Sequence, residues 1–165
     1  MALAACDQGT GLGNRGGGPY APDVVAAGEQ SVDGLIVGHR LMAAGEYELA
    51  LKSYTRSAAE RGITVDVLSA LGSANLMLGR LGQAETLLRQ ATEKDAEFPP
   101  AWNNLGVVLM ERGKVAEAAR VFRLAYALDS GKTDAIRDNL TLALAKVENI
   151  SYDAGEEATF ALMRR

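Results

Sequence analysis

Small and apolar residues recur along the chain at an interval of 34 residues. From Ser31 to Lys132 the chain divides without insertion into three units, 31–64, 65–98 and 99–132. Five positions keep the same kind of residue in every unit: Gly38, Gly72 and Gly106; Gly45, Gly79 and Gly113; Ala50, Ala84 and Ala118; Tyr54, Leu88 and Phe122; Ser57, Ala91 and Ala125. A period of this length is typical of a repeat architecture in which each unit is one supersecondary element.

The pattern within a unit predicts two antiparallel helices. Each unit has two stretches with apolar positions at helical spacing, and the second glycine of the unit separates them. A glycine there can adopt the left-handed conformation that closes a helix, and the first glycine lets two helices cross closely. The large residue near the unit's end, such as Phe122, is predicted to fill the space against the next unit's first helix. Because one helix pair cannot bury its apolar face alone, the three pairs are predicted to stack.

The segments that flank the units have different predictions. Residues 133–149 carry a helical apolar stripe that includes Ile136, Leu140 and Leu144, which is typical of a helix that caps a stack of repeats. Residues 150–165 form a mixed tail, whose order the sequence leaves open. Within the first thirty residues, positions 7–22 hold six glycines and two prolines, and this composition predicts a flexible linker.

A short motif precedes the linker. The sequence "LAAC" at 3–6 resembles a bacterial lipobox, in which the cysteine, here Cys6, becomes the lipid attachment point. An export leader has a basic region and an apolar stretch of about 7–15 residues, whereas five residues precede Cys6 in the given sequence. Two interpretations stay open. Either the motif belongs to a longer precursor, or Cys6 is an ordinary cysteine in an accidental match.

Composition narrows the functional classes. Apolar residues make up 48% and charged residues 23% of the chain, and the net charge is −4 without a basic stripe, so no nucleic-acid partner is expected. With one histidine, His39, and one cysteine, the chain has neither a Cys/His zinc site nor an internal disulfide. No catalytic residues, metal or cofactor are predicted, and the chain is interpreted as non-enzymatic.

The repeated positions resemble the tetratricopeptide repeat (TPR), and the resemblance covers 31–132. The third unit has the signature residues Trp102, Leu105, Gly106, Ala118, Phe122 and Ala125, while Leu109 replaces the usual tyrosine and Ser130 the usual proline. The resemblance implies an all-α fold, an α-solenoid of three TPR helix pairs plus a C-terminal capping helix. It also implies a concave groove, lined by the first helices, in which a protein or peptide partner lies.

The family geometry assigns particular residues to this groove. The predicted positions are Leu35, His39, Met42, Ser69, Ser73, Met77, Asn103, Asn104, Val107, Met110 and Arg137. The methionines are predicted to form an adaptable apolar floor, and the alternative is that they pack between helices. The adjacent asparagines are predicted to bond a peptide backbone. Where TPR clamps for acidic chaperone tails have lysine, arginine and asparagine, this chain has Leu35, His39, Ala70, Pro100 and Asn104, so such a clamp is not expected.

A narrower resemblance extends from about 40 to 147. Together with the lipobox-like start, this stretch resembles the TPR lipoproteins of the bacterial tight-adherence (Flp) pilus system, the TadD group. That resemblance implies a lipid-anchored protein on the periplasmic side of the outer membrane, which assists assembly of the pilus or its secretin and contacts the membrane through the anchor alone. The alternative is a soluble cytoplasmic TPR chaperone or adaptor for a secreted or complex-forming partner.

Overall fold

A computed structural model describes the backbone of residues 33–163 and the side chains of residues 33–150 and Tyr152. The predicted linker and the lipid attachment point at Cys6 lie outside the described residues. The helices of the described part are α1 (Gly34–Ala43), α2 (Tyr47–Arg61), α3 (Val65–Met77), α4 (Leu81–Lys94), α5 (Pro99–Glu111), α6 (Val115–Asp129) and α7 (Asp134–Met163). The predicted all-α fold of three helix pairs and a C-terminal helix is confirmed.

Local sequence signals set the helix ends. The Asp33 side chain accepts a hydrogen bond from the Leu35 amide at 2.9 Å, and Thr64 caps α3 in the same way. Pro99 begins α5, where a missing N–H costs little. The turn inside each pair passes through a glycine in the left-handed region: Gly45, Gly79 and Gly113 have φ values of 78°, 71° and 73°. The second helix therefore turns back against the first.

Each pair is held together at the first glycine of its unit. A Cβ atom added to Gly106 would lie 2.5 Å from Cε1 of Phe122, so the ring rests directly on the α5 backbone. Leu88 occupies the same place over Gly72, and Tyr54 over Gly38. These large residues also share core clusters with the next helix in the stack, as predicted: Tyr54 lies with Ala70 and Ala74 of α3. One side chain therefore joins the helices of its own pair and contributes to the contact with the next pair.

The last helix, α7, packs on α6 and α5 through the predicted stripe. Ile136 and Ala143 are buried, and Leu140, Leu144 and Val147 pack against the core from its edge. The predicted capping segment ends at 149, whereas α7 continues to Met163. No proline interrupts residues 150–163, and a helix already begun is extended at low cost. Among the described helices, including α7, none has the length and hydropathy to cross a membrane.

An ion-pair network connects the second and third pairs. Glu85 on α4 is 7% exposed, and its carboxylate accepts hydrogen bonds from Arg89, Arg112 and Lys114 at 2.5–3.0 Å. Burial alone raises the pKa of Glu85, but the bonds from Lys114 and Arg89 outweigh it, so this pKa lies below its ordinary value. Arg89 also binds Glu117 on α6 at 2.6 Å. A charged Glu85 therefore ties α4 to the α5–α6 turn.

The close crossings predict a contrast between two glycine substitutions. Gly106→Ala places a methyl group against Phe122, and we expect the free energy of unfolding to fall by about 1–3 kcal/mol. Gly82→Ala is the matched control, because a Cβ there meets no atom within 4 Å. It should leave stability unchanged or raise it by about 0.4–1 kcal/mol. Urea denaturation followed by circular dichroism measures both, and equal effects would contradict the close crossing.

Candidate functional site

The first helices of the three pairs lie side by side with α7. α1 packs on α3, α3 on α5, and α5 on α7. Their remaining faces form one surface, which we call the groove, defined by the predicted residues Leu35, His39, Met42, Ser69, Ser73, Met77, Asn103, Asn104, Val107, Met110 and Arg137. The structure shows which of these side chains engage one another and which stay accessible.

A row of amide and hydroxyl groups crosses the groove from α7 to α3. Asn139 Nδ2 donates to Asn103 Oδ1 at 3.0 Å, and Asn103 Nδ2 donates to Asn104 Oδ1 at 3.5 Å. Asn104 Nδ2 then donates to Ser73 Oγ at 2.8 Å and to Ser69 Oγ at 3.4 Å. Four of the predicted groove residues are thereby brought together, and Asn139 joins them.

The row restricts which asparagines can meet a ligand. Both N–H groups of Asn104 and its oxygen are engaged by neighbours, so this residue organises the groove without a free donor. Asn103 and Asn139 each have one N–H group without a partner among the described residues. The side-chain oxygen of Asn139 also has no partner among them. Peptide contact by Asn103 stays a prediction, and Asn139 is a candidate that the sequence analysis did not include.

His39 is oriented by a tyrosine beneath it. Tyr54 is 1% exposed, and its hydroxyl lies 2.9 Å from His39 Nδ1, with the rings in an edge-to-face arrangement at 5.4 Å between centroids. Burial raises the pKa of Tyr54 to about 12, so the phenol is neutral. The tautomer of His39 decides which of the two groups donates in this bond.

Two cavities lie along the groove. The first, of about 270 Å³, lies between α1, α3 and α5 and is lined by His39, Met42, Tyr54, Asp66, Ser69, Ala70, Ser73, Phe98, Pro100 and Asn104. The second, of about 220 Å³, lies between α5 and α7 and is lined by Val107, Met110, Glu111, Phe122, Asn139, Leu142 and Lys146. Asp66 is the only carboxylate among the described residues that line the first cavity, and neither lysine nor arginine lines it.

The predicted methionines fit both interpretations, exposure on the groove floor and packing between helices. Met77 is 49% exposed and lines a further surface cavity with Leu76 and Val107. Met42 and Met110 are half-buried and pack against core clusters between the helices. Leu35 also packs at the edge of the core. The apolar floor of the groove therefore has one exposed methionine, and the other two lie deeper.

The structure adds α7 residues to the predicted Arg137. Arg137 is exposed and binds Asp134 at 2.6 Å, whereas Asn139, Leu142 and Lys146 line the second cavity. The 34-residue register puts Leu140 at the position where α1, α3 and α5 have glycine. Leu140 packs at the edge of the core cluster that contains Phe122.

The sequence and fold were compared with known proteins. The sequence model of the tetratricopeptide repeat family matches residues 38–97 and 70–133, which together cover more than half of the chain. The chain belongs to the tetratricopeptide repeat family. TPR domains mediate protein–protein interactions and are typically non-catalytic modules. No curated protein matches the sequence.

Several solved TPR domains have the same fold. The Sgt2 TPR domain from Aspergillus fumigatus superposes with a TM-score of 0.68 at 22% identity, covering 72% of this chain and 80% of that one. The second TPR domain of human RPAP3, solved in complex with an HSP70 peptide, gives 0.60 at 24% identity, with 68% and 92% covered. The TPR2B domain of yeast Sti1, solved in a complex with pHsp70, gives 0.62 at 18% identity, with 68% and 94% covered. At these identities the likeness shows the fold.

The buried phenol predicts a change of stability at high pH. Because the pKa of Tyr54 is raised to about 12, its contribution is complete below pH 10 and is lost as the pH rises towards 12. Over that window the free energy of unfolding should fall by roughly 1.4 kcal/mol per pH unit through this group. Urea denaturation should show this slope to be absent in Tyr54→Phe. The exposed control Tyr152→Phe should keep it, and a slope retained in Tyr54→Phe would refute the assignment.

Proposed function

We propose that this protein is a non-enzymatic scaffold that binds an extended segment of a partner protein in its groove. The observation that carries the proposal is the surface of four helices, which offers both polar and apolar contacts. Asn103 and Asn139 have amide groups without a partner among the described residues, and Met77 and Leu142 are accessible apolar residues of the same surface. Amide groups bond a peptide backbone, and apolar positions hold its side chains. The family membership supports the same use of the surface.

The charges of the groove favour a particular kind of segment. Acidic peptide ends are held by lysine and arginine side chains, which are absent from the described residues that line the first cavity. Asp66 instead makes that cavity slightly acidic, and Asn104 has no free donor for a carboxylate. We infer that the partner segment has apolar anchors and that the part of it over the first cavity is neutral or weakly basic. Elsewhere in the groove, Arg137, Lys146 and Glu111 provide charges of both signs. Although neighbours of this fold were solved with HSP70 peptides, an acidic chaperone tail does not suit this groove.

Two matched substitutions test the groove. Met77 and Leu49 are 49% and 48% exposed, on α3 and α2 respectively. With peptides selected from a random library on the wild-type protein, Met77→Glu should weaken binding about tenfold or more, because it puts a charge on the apolar floor. Leu49→Glu should bind as the wild type does. Calorimetric titration measures both, and unchanged binding by Met77→Glu would overturn the groove as the binding surface.

We further propose that the scaffold is anchored through Cys6 to the outer membrane and acts in assembly of a tight-adherence pilus, with a secretin component as a partner. The "LAAC" motif and the resemblance of residues 40–147 to the TadD group support this proposal. In the source cells, the wild-type protein should fractionate with the outer membrane and Cys6→Ser should not. A cytoplasmic wild-type protein would instead support the soluble adaptor.

A further inference from the structure

A further cavity lies between the second helices of the first two pairs, away from the groove residues. It is a cleft of about 570 Å³ between α2 and α4, lined by Leu51, Thr55, Asn75, Arg80, Gly82, Gln83, Thr86 and Leu87. This volume is in the range of about 300–1,000 Å³ that is common for binding pockets. None of these residues belongs to the groove defined above.

The repeat register shows what the chain places in the equivalent cleft between α4 and α6. Adding 34 to Leu51, Thr55, Arg80 and Gln83 gives Glu85, Arg89, Lys114 and Glu117. Those four residues are members of the ion-pair network that spans the α4–α6 cleft.

Between the first and second helix pairs, the four corresponding residues form no network, and one of them, Arg80, makes an ion pair. Arg80 binds Glu48 on α2 in an exposed pair, and Gly82 adds no side chain at the rim. The α2–α4 cleft is therefore the unfilled counterpart of a cleft that the chain closes one repeat later.

Asn75 places an unsatisfied acceptor in this cleft. Its side chain is 5% exposed, and its Nδ2 donates to the Leu71 carbonyl at 2.8 Å, which turns Oδ1 the other way. No donor among the described residues reaches Oδ1. Because no fully buried side-chain oxygen in the described part lacks a partner, this oxygen reaches the accessible surface of the cleft. Its counterpart in the next repeat, Leu109, is fully buried.

The walls around this acceptor are mainly apolar. Leu51 and Leu87 are half-buried on facing helices. The hydroxyls of Thr55 and Thr86 bond carbonyls of their own helices, Leu51 at 2.8 Å and Gly82 at 3.1 Å. The threonine hydroxyl groups are therefore satisfied without a ligand. An occupant that fits must cover two leucines and supply a donor to Asn75 Oδ1. It also meets the side chains of Arg80 and Gln83 at the same cleft.

We propose that the α2–α4 cleft is a second docking site, which takes an aromatic side chain with its own donor, a tryptophan, from a partner protein. The indole ring is apolar over its faces and carries a single N–H group, which matches the leucine walls and the free oxygen of Asn75. This site is independent of the groove, so the protein contacts two partner segments on separate surfaces.

The first test uses N-acetyltryptophanamide as the probe on the full chain. Nuclear magnetic resonance titration should give saturable shifts at the Leu51 and Leu87 methyl groups and at the Asn75 side-chain amide. A probe methylated on the indole nitrogen lacks the donor and should bind several-fold more weakly. The groove variant Met77→Glu should bind the probe as the wild type does, which separates this test from that of the groove. Absence of saturable shifts at the cleft would overturn the proposal.

Two variants introduce residues that the chain has at the equivalent positions of the next repeat. Leu51→Glu with Thr55→Arg and Gln83→Glu installs the network beside Arg80, so it should keep the protein folded and abolish the shifts. Asn75→Leu copies Leu109 and should remove the preference for the unmethylated probe while retaining binding. The proposal would be overturned if the network variant still bound the probe, or if Asn75→Leu kept the preference for the unmethylated probe.

Discussion

The structure depends on one steric constraint, the contact between a large side chain and the bare backbone of a glycine. Phe122 on Gly106, Leu88 on Gly72 and Tyr54 on Gly38 each fix how closely two helices approach. Once that distance is set, the helix that begins the next pair has one place to pack, because the same large residue faces it. The stack is thus built from a contact that every unit repeats, and the groove follows from it, since it is the side that the second helices do not cover.

The three helix pairs have the same fold, but the ionic contacts between neighbouring pairs differ. Between the second and third pairs a buried carboxylate binds three cationic side chains. Among the described residues, the first and second pairs share one exposed ion pair, between Arg80 and Glu48. Exposed pairs contribute little to stability, and breaking a buried one is expensive. The first junction therefore has fewer ionic contacts than the second. The same repeat therefore has an open cleft between α2 and α4, where the next repeat has the ion-pair network between α4 and α6.

The sequence was sufficient for the features that a single unit determines. The spacing of Gly45, Gly79 and Gly113 predicted the three turns, and the 34-residue interval predicted the pairs and their order. The role of Asn104 and the network around Glu85 were not predictable in this way, because each depends on side chains about 30 positions apart that meet across different units. The end of α7 was left open by the sequence. The segment after 149 has no strong stop signal, and an apolar stripe shows where a helix packs but not where it ends.

The row of amides from α7 to α3 has one more consequence. At each link from Asn139 through Asn103 to Asn104, the nitrogen belongs to the residue nearer α7 and the oxygen to the residue nearer α3. Rotating a single amide by half a turn would place nitrogen against nitrogen or oxygen against oxygen at a neighbouring asparagine. The three amides therefore keep one common orientation or reverse it together. The surface consequently has a polarity of its own, set by aligned dipoles with no net charge, and its two ends are chemically distinct.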